Sequence, residues 1–174
     1  MTEQTLRQAM PLLARHEGVW DGYYRFYDPD GNKIDEHRSR LLCRFETDDL
    51  YHQTNFYYWA DGRKDLRDFP GEYDPATGRM MFSGVIEGWA AELRQDDFAR
   101  TVMLSWDRPE EKMNLYEMIQ LSDCGTRRSR VWHWFRDDRL FQRTLVDERR
   151  IDVDWRKYEN SAELGYGDIA QFAD

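Results

Sequence analysis

His133 sits at the centre of Val131-Trp132-His133-Trp134-Phe135, an almost unbroken apolar run. A desolvated imidazole is neutral, and a neutral imidazole beside a bound molecule can take a proton or polarise a carbonyl. The plainer reading is a satisfied core or surface histidine, because no partner is visible in the sequence. Glu117, in Leu115-Tyr116-Glu117-Met118-Ile119, has apolar neighbours on both sides, where a buried carboxyl could serve as an acid. It equally suits an ion pair with Arg143 across a sheet. Arg143 itself could meet a ligand carboxylate through its planar fork. If His133 and Glu117 are catalytic, the chemistry is cofactor-independent: an isomerisation, cyclisation, hydration or lyase step. Tyr24 or Tyr57 would then stabilise an enolate or phenolate.

Other chemistries lack their residues. The four histidines, His16, His37, His52 and His133, show no H-x-H or H-x-x-x-H spacing, so no metal is expected. There is no G-x-S-x-G elbow, P-loop or G-x-G-x-x-G, and no cofactor is expected. A net charge of −9 argues against nucleic acid or an anionic membrane as partner. Cys43 and Cys124 form no C-x-x-C pair and read as reduced thiols. The first fifteen residues lack the apolar core of an export signal, and no run is long enough to span a membrane. The expectation is a cytoplasmic protein.

The elements that must position these groups are strands. Alternating segments follow one another over 18–27, 33–45, 50–59, 64–73, 79–85, 86–93, 101–106, 113–121, 127–136 and 140–150. Short turns join them, such as Asp28-Pro29-Asp30-Gly31 and Asp61-Gly62. About ten evenly spaced strands predict an all-β, up-and-down antiparallel barrel in a single domain over 1–174. Residues 1–16 form a short helical segment, 17–150 the barrel, and 151–174 an irregular tail. Trp155, Tyr158, Tyr166 and Phe172 in that tail argue that it lies on the barrel or on a second subunit.

Period two assigns the faces. With Trp20 inward, Gly22, Tyr24 and Phe26 share the interior, as do His37, Ser39, Leu41, Cys43 and Phe45 of the second strand. Arg38, Arg40 and Arg44 are left to solvent. The third strand allows two inward sets: Tyr51, Gln53, Asn55, Tyr57 and Trp59, or His52, Thr54, Phe56 and Tyr58. The first is preferred, because Gln53 and Asn55 among rings suit an amphipathic pocket.

Gly18-Val19-Trp20, opening the first strand after a short helical segment, resembles the G-x-W signature of the lipocalin-like (calycin) superfamily. The wider pattern also resembles uncharacterised bacterial lipocalin-like proteins. The resemblance implies a Trp that plugs the closed end beneath an Arg of the final strand. Arg149 or Arg150 stands in the right order for that part, Arg149 being the candidate. The chain departs from secreted lipocalins in having no export signal, no disulfide pair, about two extra strands and no helix after the barrel.

The leading functional expectation is a barrel that binds a small, mostly apolar, aromatic or polyketide-like molecule. Tyr24, His37, Gln53, Asn55 and Tyr57, with Arg143, Glu117 and His133, would meet it. The alternatives are the acid–base enzyme above, or a structural module. In the latter Tyr23, Tyr27 and Trp132 form an interface and the tail mediates a homodimer.

Overall fold

Alternating side chains with short turns leave each strand one obvious neighbour, the next in sequence. In the computed structural model, which describes residues 4–84, 86–93 and 99–159, ten strands pair this way. They are β1 (Gly18–Tyr27), β2 (Lys33–Phe45), β3 (Leu50–Tyr58), β4 (Lys64–Asp74) and β5 (Arg79–Phe82), then β6 (Glu87–Glu92), β7 (Thr101–Arg108), β8 (Met113–Leu121), β9 (Arg127–Arg136) and β10 (Arg139–Asp152). β1 pairs with β10 and closes the ring, so every strand is antiparallel to both neighbours. At Gly22 a Cβ would lie 2.2 Å from the Asp147 carbonyl oxygen, so only glycine lets β1 and β10 approach so closely.

The helical segment is two single turns, α1 (Leu6–Ala9) and α2 (Pro11–Ala14). Thr5 caps α1 in a reciprocal arrangement with Gln8, and Pro11 begins α2, where its missing N–H costs nothing. Barrel carboxylates take two further backbone donors: Leu6 N donates to Asp49 at 3.1 Å and Leu13 N to Glu92 at 2.9 Å. Leu6, Met10, Leu12 and Leu13 are buried in the same core as Trp20 and close that end of the barrel.

The outer face of β2 differs from expectation. Arg40 and Arg44 are buried, not solvated. A 3-10 turn after β10, Trp155–Tyr158, folds back over this part of the wall. Trp155 packs with Val19, Leu42 and Phe56. Arg40 lies 5.2 Å from the Tyr158 ring centre and Arg44 5.8 Å from that of Trp155. The first part of the expected tail therefore lies on the barrel, while Tyr166 and Phe172 fall outside the described residues. Cys43 is buried, Cys124 is exposed, and both are free thiols.

Candidate ligand-binding cavity

The base of the interior is built on Trp20. Its indole N–H donates to the His16 carbonyl at 2.8 Å, and the ring is fully buried. Two guanidiniums stack on it, Arg128 at 4.4 Å and Arg150 at 4.7 Å. Arg149 does not take part: period two turns Val146 and Glu148 inward on β10, and leaves Arg149 exposed on the outer face. Burial first, then the positive field of Arg128, Arg130, Arg150 and Arg15, drives the His16 pKa well down, so this ring is neutral.

Above the plug lies a buried ion network. Arg128 pairs with Glu148, and its Nη1 stands 3.3 Å from His16 Nδ1. Arg130 pairs with Glu117, donates to the Tyr24 hydroxyl at 2.7 Å and lies 3.5 Å from Glu148. Burial opposes both arginine charges, but the adjacent carboxylates outweigh it and raise both pKa values. Burial also pushes the Tyr24 phenol well above its usual pKa, against the pull of Arg130. Glu117 is thus held by Arg130, and Arg143 is not its partner.

The cavity occupies the β3–β9 side of the barrel and reaches down to Leu13. The cavity volume is about 80 Å³. One wall is a polar row on β3. Tyr51 donates to Gln53 at 3.1 Å, Gln53 to Asn55 at 2.9 Å, and Asn55 to the Tyr57 oxygen at 2.7 Å. All four side chains line the cavity, so the first of the two sequence-derived sets faces inward. The opposite wall is apolar, with Leu104, Trp106, Trp132 and Trp134, and Phe69, Met80 and Phe82 complete it. Trp106 meets Trp134 edge-on at 5.2 Å.

His37 faces inward as expected but contributes nothing to the cavity wall, and neither does Tyr24. Its ring is caged by Trp59 at 4.5 Å, Tyr57 at 4.8 Å, Tyr24 at 4.9 Å and Phe26 at 5.3 Å. Burial is the main cause that lowers its pKa to about 4.

Two expected site residues lie outside the barrel. His133 is exposed, and Arg143 is its cross-strand partner on the same outer face. The apolar run misled because Trp132 and Trp134, not His133, are the inward members of β9. Arg143 instead donates to the Asp28 carbonyl at 3.3 Å and steadies the β1–β2 turn. The same alternation buries Trp132, removing it from the surface interface considered above.

Sequence reasoning missed Arg67, Arg108, Arg128 and Arg130. Counting back in twos from Trp132 on β9 would have found Arg130 and Arg128, and counting on from Trp106 on β7 would have found Arg108. Among the described residues the β4–β5 ladder begins at Gly71, so Arg67 to Pro70 have a paired strand on the β3 side alone. Arg67, Phe69, Ile86 and Arg108 all border the cavity, the first two from that part of β4.

No family model matches this sequence, and no curated protein matches it. Solved structures do match. A DUF3598-family protein of unknown function from Nostoc punctiforme aligns with a TM-score of 0.63 and 15% identity, over 80% of this chain and 49% of its own. The present chain therefore spans about half of that protein. An S-type phycobiliprotein lyase from Guillardia theta aligns with a TM-score of 0.63 and 12% identity, covering 80% and 90% of the two chains. Rv2717c from M. tuberculosis gives 0.56 and 12% identity over 82% and 96%. The fold they share with this chain is a closed antiparallel barrel, here of ten strands. At such identities the likeness is one of fold. No helix among the described residues is long and apolar enough to cross a membrane, and no group of three or more His, Cys, Asp or Glu among them could hold a metal.

Proposed function

We propose that this barrel binds a small, mostly apolar molecule of aromatic or polyketide-like character in the cavity between β3 and β9. One observation carries the reading. A face of three tryptophans and aliphatic side chains stands opposite the hydrogen-bonded row Tyr51, Gln53, Asn55 and Tyr57. An apolar wall supplies burial, and a few fixed polar groups supply orientation, which is the usual division of labour in small-molecule sites. Other barrels of this fold include a phycobiliprotein lyase, which is compatible with a small-molecule role. A cytoplasmic setting suits the two free thiols.

The acid–base alternative is weaker. Its histidine lies outside the barrel, and Glu117 is engaged by Arg130. Tyr24 keeps its proton and already hydrogen-bonds Arg130. The test is titration of the protein with flat aromatic and fatty probes, read by quenching of tryptophan emission. Saturable quenching at micromolar concentration by aromatic members supports the reading. Its absence across the panel rejects it.

A further inference from the structure

The orphaned donors of the cavity wall say more about what enters it. Two buried polar atoms there have no protein hydrogen-bond partner: Arg108 Nε and Trp132 Nε1. Both groups can only donate. A buried donor without an acceptor forfeits its hydration with nothing in return, so such atoms are exceptions that call for a reason.

Charge points the same way. Arg67, Arg108 and Arg130 line the cavity, against the single carboxylate of Glu117. Arg130 and Glu117 satisfy each other. Arg67 shares its Nε with Asp65 at 2.8 Å, and Arg108 its Nη1 with Glu111 at 3.2 Å. Those carboxylates are on the solvent side: their side chains are 38% and 52% exposed. Each arginine thus meets a carboxylate, but of the two outer pairs only the arginines, Arg67 and Arg108, line the cavity.

We propose that the ligand is an anion: an aromatic, mostly apolar body carrying a carboxylate or sulfonate-like group that Arg108, assisted by Arg67, holds at the cavity wall. This rests on the cavity-binding reading above and adds the class of its occupant. The planar fork of arginine suits an oxygen anion, and a charge-assisted hydrogen bond is about twice as strong as a neutral one. With Arg108 Nε turned to the anion, the body lies along Trp106 and Trp134, which share the same stretch of wall.

A matched pair of probes tests it. 8-Anilinonaphthalene-1-sulfonate and N-phenyl-1-naphthylamine share one ring system and differ by the sulfonate. The sulfonate probe is expected to bind roughly tenfold more tightly. Arg108→Gln should remove most of that preference and Arg67→Gln a smaller part, while the neutral probe changes by less than about twofold. Arg108→Lys should keep an intermediate preference. Should Arg108→Gln fail to fold, the unmodified protein still decides: the preference should shrink several-fold between about 0.05 and 0.5 M sodium chloride. Equal affinity for both probes, or a preference indifferent to Arg108 and to salt, overturns the anion site and leaves cavity binding intact. Binding of neither probe overturns both.

Discussion

Arg40 and Asp21 form a two-point ion pair on the outer wall of the barrel, at 2.8 and 2.9 Å, with each side chain only 1% exposed. The pair bridges β1 and β2, where Asp21 and Arg40 stand directly opposite. Removing one partner takes this two-point pairing from the other's charge in a dry setting. Asp21→Asn and Arg40→Met should each cost about 3–5 kcal/mol, measured by urea denaturation. The double substitution should recover part of that loss. A cost below about 1 kcal/mol for either single change would mean that the pair is effectively solvated.

Acid should destabilise the fold through His37. Its folded pKa of about 4 lies below the ordinary value of 6.5, so the unfolded chain takes up the proton first. The stability it contributes is complete above about pH 6.5 and is lost as pH falls toward 4, about 3 kcal/mol in all. His16 is lowered as well and acts in the same direction. His37→Phe, which fits the surrounding rings and has no proton to gain, should flatten the curve of melting temperature against pH across that window. An unchanged slope would show that His37 is not what titrates.

Filling the cavity should abolish binding without unfolding the barrel. Ala90 is 1% exposed and borders the cavity from β6. Ala90→Phe should weaken aromatic probes at least about tenfold, with circular dichroism unchanged. Undiminished binding would place the probes elsewhere.

The two acid–base candidates should behave oppositely. His133→Ala, on the exposed face, should shift stability by less than about 0.5 kcal/mol and leave probe binding alone. Glu117→Gln leaves the buried Arg130 only its longer contact with Glu148, at 3.5 Å, and should destabilise by about 3 kcal/mol. Equal effects from the two would contradict the assignment of faces.

Strand number, order and the inward sets of β1 to β3 were legible because period two and turn residues encode them directly. The site was legible only in part, and one rule explains both outcomes. Tyr51, Gln53, Asn55 and Tyr57 stand out as a polar row within a ring-rich strand, whereas His133 drew notice through its sequence neighbours. Neighbours in sequence face opposite ways in a strand, so an apolar run says little about its central residue. Arg128 and Arg130 went unseen because charge suggests solvent, and their burial depends on Glu148 and Glu117 from other strands. Arg40 escaped for a different reason: what covers it is a turn more than a hundred residues later in the chain. Arg150 rather than Arg149 follows from counting in twos along β10.

The brevity of β5 has a thermodynamic corollary. Its four residues pair with Gly71–Asp74 on one side and with three residues of β6 on the other, against ten paired positions between β1 and β2. Cooperative strength around the ring is therefore unequal, and fluctuation concentrates where rungs are fewest. Amide protons of β5 and its borders should exchange with deuterium well before those of β1, β2 and β10. The staves of this vessel are not equally fastened, and the one with the fewest rungs borders the cavity.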